Sequence, residues 1–244
     1  MDTTSEGRTG LSGVMFDFSG TLFRIEPARQ WLAAALAEAG VTAEPDEVAH
    51  YAGLLEAAGA QPGGGEPRAL PAHLAERWEA RDLTDRRHRE AYTALSRLVD
   101  LPWDVHDALY ERHMAPEAWQ PYPDTARALK ELEERNIPVA VVSNIGWDLR
   151  PVFEAHGLKG GVREFVLSFE HEVQKPDPRI FGIALAALGT AARDTAMVGD
   201  NARADGGATA LGCPFLLVEP LRVEERPDAL LGVLDLPPVS GHGS

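Results

Sequence analysis

Between Pro121 and Val218 short apolar runs alternate with helix-length segments, and this alternation restricts the fold more than any other feature. Helices are expected over 124–134, 147–156, 177–188 and 203–211, the last three stopped by Gly157, Gly189 and Gly212. Strands are expected over 137–143, 165–169, 195–199 and 214–218. Strands spaced by helices point to an α/β protein with a parallel, doubly wound sheet. Gly13–Phe18 reads as one further short buried strand, apolar until it meets Asp17 and followed by the turn Ser19-Gly20-Thr21. Ligands of open α/β sheets bind outside the carboxyl ends of the strands, so an acid at such an end is a site signal.

Residues 24–120 have another character. Helices are expected at Pro27–Ala39, 45–58, 69–82, 84–100 and 102–113, with the Gly/Pro-rich loop 61–67 among them and no strand. The first has Pro near its start, Trp31, Leu32, Ala35 and Leu36 on one face, and Gly40 as a stop. An all-helical insertion therefore separates the first strand from the rest of its sheet. The segments 1–12 and 237–244 are rich in Gly, Ser, Thr and Pro and are expected to be frayed tails.

Charge excludes one class of partner. With 23 Lys+Arg against 38 Asp+Glu, a net charge of −15 repels a nucleic-acid backbone. A small anionic substrate would need a local positive pocket, and only Lys130, Lys159 and Lys175 are lysines. Cys213, the single cysteine, can form neither an intramolecular disulfide nor a zinc cluster, and reads as a core residue in a reducing cytoplasm. The polar start lacks a secretory pattern, and no run approaches the ~18 apolar residues of a membrane span. The quaternary state is expected to be monomer or homodimer.

Polar residues stand at four expected strand ends: Asp17 with Ser19 and Thr21, Ser143 with Asn144, Lys175 beyond the fourth element, and Asp200 with Asn201 and Asp205. A parallel sheet brings such ends together. DFSGTL (17–22), VVSN (141–144), KPDP (175–178) and GDNARAD (199–205) resemble, in order, the four motifs of the haloacid dehalogenase superfamily, in the branch with a helical cap. The resemblance runs from residue 13 to about 220. It implies a Rossmann-like core made of 13–23 and 121–220, and a helical cap over 24–120.

The resemblance also implies roles. Asp17 is the nucleophile, a carboxylate able to form an acyl-phosphate or ester without an activating base. Mg²⁺ is the expected cofactor, held by Asp17, Asp200, Asp205 and the backbone carbonyl of Ser19. Ser143, with the backbone N–H of Asn144, binds a phosphoryl oxygen, and Lys175 supplies positive charge. Thr21 belongs to the first motif. Gly199 allows close backbone approach, and Asp177 can cap the following helix.

One position departs from the pattern. Phosphatases of the family carry a second aspartate two residues after the nucleophile, which protonates the leaving group; here that residue is Ser19. Loss of general acid help costs ~10²- to 10⁴-fold, least when the leaving group departs without a proton. Phosphonate-cleaving members use a cap lysine, and 24–120 contains none. Dehalogenating members typically carry an aromatic residue at this position and lack the metal site. The expected function is a phosphatase for a small phosphorylated metabolite, working through an aspartyl-phosphate. The alternatives are carbon–halogen hydrolysis through an aspartyl ester, and an impaired binding or scaffold protein that keeps the fold. His50, His73, His88, His106 and His113 of the cap are candidates to replace the acid, and Arg24 and Arg29 to bind substrate anion.

Overall fold

The computed structural model describes residues 10–237; the expected tails over 1–9 and 238–244 lie outside them. Five parallel strands form the main sheet in the order β5 (Glu164–Leu167), β4 (Val139–Ser143), β1 (Gly13–Phe16), β6 (Thr195–Gly199), β7 (Phe215–Leu217). The first strand of the sequence thus lies in the middle, with Val14 opposite Val139 on one side and Ala196 on the other. All four β1 residues are buried, which is why this strand reads as an unbroken apolar run rather than an alternation.

The two-residue period distributes the strands' side chains to two layers. Met15, Ala140, Val142 and Met197 pack with Ile180 and Phe181 of helix α8 (Pro178–Leu188). Val14, Phe16, Val141 and Val198 pack on the other face with Leu129 of α6 (Thr125–Glu134) and Phe153 of α7 (Arg150–Ala155). Asp177 does cap α8, its carboxylate accepting from the Arg179 N–H at 2.9 Å. Cys213 lies buried in the Met15 layer.

The segment 24–120 forms helices α1 (Ala28–Glu38), α2 (Pro45–Ala57), α3 (Ala75–Glu79), α4 (Asp85–Ser96) and α5 (His106–Met114). They enclose an apolar cluster of their own around Trp31, Leu32, Leu55, Leu95 and Leu109. Trp31 is a packing residue, its indole N–H donating to the Leu109 carbonyl at 3.0 Å. The helix expected over 69–82 is broken: only α3 is α-helical, with single tight turns at 72–74 and 81–83.

The expectation of no strand between 24 and 120 is wrong at both ends. β2 (Phe23–Ile25) and β3 (Trp119–Pro121) pair antiparallel, Phe23 against Pro121, as the stem through which the chain leaves and re-enters the core. Each strand has three residues and a partner almost a hundred positions away, so no local periodicity announces it.

The core also exceeds its expected limits. Leu11 is buried and the Ser12 N–H donates to Asp194 at 2.7 Å, while Leu230 and Val233 are fully buried beyond residue 220. Expected as a helix, 203–211 instead winds as a tight 3₁₀ turn over Asp205–Leu211, where the pair Gly206-Gly207 disfavours a regular α-helix. No helix among the described residues is long and apolar enough to cross a membrane.

Candidate active site

The strand ends converge as a parallel sheet requires. Asp17 follows β1, Ser143 ends β4, Asp200 follows β6, and Asp205 opens the tight turn after it. Asp17, Ser143, Lys175 and Asp205 are buried, and Asp200 is half-buried. Together with Ser19 and Asn144 they line one cavity of about 190 Å³ between the sheet and the helical insert.

Lys175 is the electrostatic centre. Its Nζ donates to Asp17 Oδ1 at 2.6 Å and to Asp205 Oδ1 at 2.5 Å. Asn144 holds the lysine backbone on both sides, its Oδ1 accepting from the Lys175 N–H at 2.7 Å and its Nδ2 donating to the Lys175 carbonyl at 2.9 Å. The side chain of Asn144 therefore positions Lys175. The other two lysines pair with Glu134 and Glu154 on the surface.

Around this ammonium stand three carboxylates, Asp17, Asp200 and Asp205, with oxygens within 4.8 Å of one another. Burial pushes Asp17 up to about 8; Lys175 opposes the shift, and Asp205 and Asp200 add to it. Asp200 rises to about 6, again through burial and the charge of Asp205. Lys175 is held above its ordinary value because the attraction of Asp17 and Asp205 outweighs its own burial. Asp205 is fixed by the Asn201 N–H, which donates to its Oδ2 at 2.9 Å. Gly199 is required beside it, since a Cβ there would overlap the Asp205 carboxylate.

Thr21 is placed elsewhere. It does not line the cavity; its side chain is buried without a hydrogen-bond partner, and its carbonyl accepts from the guanidinium of Arg226. Arg24 and Arg29 line a different cavity, with Glu26 and Glu56, so they do not face Asp17. Of the insert histidines only His88 reaches the active cavity; burial, with His113, holds it well below its ordinary pKa.

Several cavity residues were not singled out from the sequence. Gly63 follows a turn at positive φ (+75°) and packs so closely that a Cβ would meet the Trp119 ring and Ser19 Oγ. Ser19 Oγ donates to the Gly63 carbonyl at 3.3 Å. The run of three glycines was the available signal that this loop approaches other backbone closely. Arg81 and Asp82, from the turn 81–83, and Trp78 and Tyr92 complete the insert side. Nothing in their spacing distinguishes them from a solvated helix face.

Three carboxyl groups and a buried lysine at the ends of a parallel sheet, roofed by a helical insert, are the arrangement of a doubly wound α/β hydrolase. The family model described as haloacid dehalogenase-like hydrolase matches residues 11–210, and the chain belongs to that family. Over 119 residues it is 35% identical to phosphoserine phosphatase of Thermus thermophilus, covering 46% of this chain and 48% of that protein. The match thus spans about half the length of this curated relative. Among solved structures, a HAD phosphatase from Thermococcus onnurineus superposes with a TM-score of 0.54 at 22% identity over 86% of each chain. L-2-haloacid dehalogenase from Xanthobacter autotrophicus gives 0.61 at 22% identity, over 91% of this chain and 83% of that one. These two likenesses concern the fold.

Proposed function

We propose that the protein is a Mg²⁺-dependent phosphatase for a small phosphorylated metabolite, with Asp17 as the nucleophile of an aspartyl-phosphate intermediate. The observation that carries this reading is the cluster of Asp17, Asp200 and Asp205 with their oxygens within 4.8 Å, against a single ammonium. Hard oxygen ligands in excess of local positive charge suit a hard divalent cation. Asp17, Asp200, Asp205 and the Ser19 carbonyl would hold it, and when bound it supplies charge neutralisation for the phosphoryl group.

The chain's own residues do the rest. Lys175 orients Asp17 through its 2.6 Å bond and offers positive charge to phosphoryl oxygens. Ser143 and the Asn144 N–H stand at the end of β4 to donate to the same group. The helical insert acts as the cap that limits the cavity to a small substrate.

Carbon–halogen hydrolysis is the weaker reading. It needs no metal, whereas the three clustered carboxylates are a donor set suited to a hard divalent cation. The test is a panel of alkyl and aryl phosphates and 2-haloacids with Mg²⁺ or chelator. Phosphate release that needs Mg²⁺ is expected; halide release, or neither product, refutes the proposal.

A further inference from the structure

The insert brings two carboxyl groups to the active cavity, Glu66 and Asp82; Glu66 is exposed, and no role assigned above uses the buried Asp82. Asp82 is 3% exposed and lines the same cavity as Asp17 and Lys175. Its turn is docked on the core at the ends of β4 and β5. Ser168 Oγ donates to the Asp82 carbonyl at 2.5 Å, Ile145 N–H donates to that same Oγ at 2.9 Å, and Gln174 Nε2 donates to the Glu79 carbonyl at 2.7 Å. Among the described residues the Asp82 carboxyl receives no hydrogen bond; it pairs with Arg81, whose Nε lies at 3.4 Å, and the neutral His88 ring stands beside it with Nε2 at 3.8 Å. With that one ion pair and no hydrogen bond, the carboxyl keeps free acceptor capacity at the wall of the cavity.

We infer that Asp82 is the catalytic acid and base of the phosphoryl transfer, filling from the insert the role that Ser19 cannot perform. This rests on the phosphatase reading. As an Asp17 oxygen bonds to phosphorus, the bond from phosphorus to the leaving oxygen breaks, and the Asp82 acid gives that oxygen its proton. Water then adds to the same face of phosphorus, Asp82 takes one of its protons, and the bond from phosphorus to Asp17 breaks, releasing inorganic phosphate and restoring both carboxyl groups.

In-line displacement decides which side the acid must occupy. Asp17 approaches from the strand ends, so the leaving group points away from the sheet and into the insert. Water of the second step enters from that same side. Asp82 belongs to the insert wall, whereas the Ser19 hydroxyl is turned to the Gly63 carbonyl. Burial raises the Asp82 carboxyl above the ordinary carboxylate range, against the pull of Arg81 and Lys175 and with Glu66 adding to it, which favours the protonated form. His88 is the weaker candidate. Burial keeps it neutral, and its Nδ1 is engaged with the Tyr110 hydroxyl at 2.8 Å.

The test compares leaving groups in the full-length protein with Mg²⁺. Asp82→Asn should lower kcat/KM for alkyl phosphates ~10²- to 10⁴-fold, and for 4-nitrophenyl phosphate less than about tenfold, because that leaving group departs unprotonated. Adding Ser19→Asp to Asp82→Asn should restore much of the alkyl-phosphate rate. Equal losses on both substrates would make Asp82 a structural residue and overturn the inference, as would no loss on either. A wild-type protein that cleaves only 4-nitrophenyl phosphate also overturns it, while leaving the phosphatase reading intact. A wild-type protein that releases phosphate from neither overturns both.

Discussion

Arg226 ties the segment beyond residue 220 to the loop that follows Asp17, and its removal gives a quantitative test of that tie. The residue is 4% exposed. Its Nη1 donates to the Gly20 carbonyl at 2.8 Å and its Nη2 to the Thr21 carbonyl, while the guanidinium lies 3.2 Å from the centroid of the Tyr122 ring. Hydrogen bonds to charged groups contribute about 1.5–3 kcal/mol each, so the two together are worth about 3–6 kcal/mol. Part of this is offset, because burial lowers the Arg226 pKa: the site strains the charge that it holds. Arg226→Met keeps most of the stem and should therefore cost about 2–4 kcal/mol. At about 2–4 °C per kcal/mol for a chain of this size, the melting temperature should fall by roughly 5–15 °C. Calorimetry with and without Mg²⁺ measures the fall. Turnover should fall as well, since the loop that carries Asp17 loses two of its anchors. A shift under about 2 °C, or a variant as active as the wild type, would show that the segment beyond residue 220 does not support the site.

Three other outcomes follow from the cavity. Asp17→Asn should abolish phosphate release while circular dichroism and melting behaviour stay native; residual turnover near the wild-type rate would remove Asp17 as nucleophile. Metal binding should depend on pH. The folded-state values of Asp17 (about 8) and Asp200 (about 6) lie above the ordinary 3.8, so the stability tied to their protonation is full below that value and is lost as pH rises through 6 and 8. Mg²⁺ at about a hundred times its Kd stabilises by ~2.7 kcal/mol, and the melting difference between Mg²⁺ and chelator should grow from pH 5.5 to 8 and vanish in Asp200→Ala. His88 and His113 are common to both arms and cancel; a difference that shrinks with pH contradicts the cluster as the binding site. Gly63→Ala must strain a φ of +75° and press on Trp119 and Ser19, costing about 1–3 kcal/mol locally. Steady-state kinetics should show it mainly as a raised KM, and an unchanged KM would separate this loop from substrate binding.

The sheet was legible because its rule is local. Each core strand is a short apolar run bounded by turn residues, and Thr195–Gly199 matches its expected limits at both ends. Asp17, Ser143, Lys175, Asp200 and Asp205 were legible for a related reason: parallel topology converts "polar residue at a strand end" into shared space. The insert obeyed no such rule. Its helices were recognisable from their apolar faces, but which turn would lie against β4 depends on Ser168 meeting the Asp82 carbonyl 86 positions away. The stem strands and the clamp by Arg226 on Gly20 are likewise contacts between distant segments. Arg24 and Arg29 show how little sequence position says about which cavity a side chain lines. Arg24 follows the first motif in sequence and Arg29 stands on the first insert helix, yet both line another cavity, and of the two only Arg24 lies near enough for its charge to lower the Asp200 pKa against the rise that burial causes.

Local charge connects these parts into one requirement. On the phosphatase reading, a protein of net charge −15 admits a phosphorylated molecule into a cavity where three carboxyl groups face a single ammonium; once all three ionise, as pH rises through 8, they leave two net negative charges. Lys175 alone cannot reverse that field, because both of its short contacts are already with Asp17 and Asp205. A divalent cation cancels the excess, which makes substrate affinity, and not only the chemical step, depend on metal. The same logic favours an acid placed in the insert. An aspartate at position 19 would add a carboxyl to a crowded floor, whereas Asp82 stands with Arg81 and His88 on the opposite wall, where its charge weighs less on Asp17. Moving the proton donor to the insert also makes catalysis depend on how the insert is seated. Ser168→Ala, which removes the hydroxyl that docks the Asp82 turn, should therefore slow alkyl-phosphate turnover more than 4-nitrophenyl phosphate turnover, and equal slowing of the two would separate docking from proton transfer.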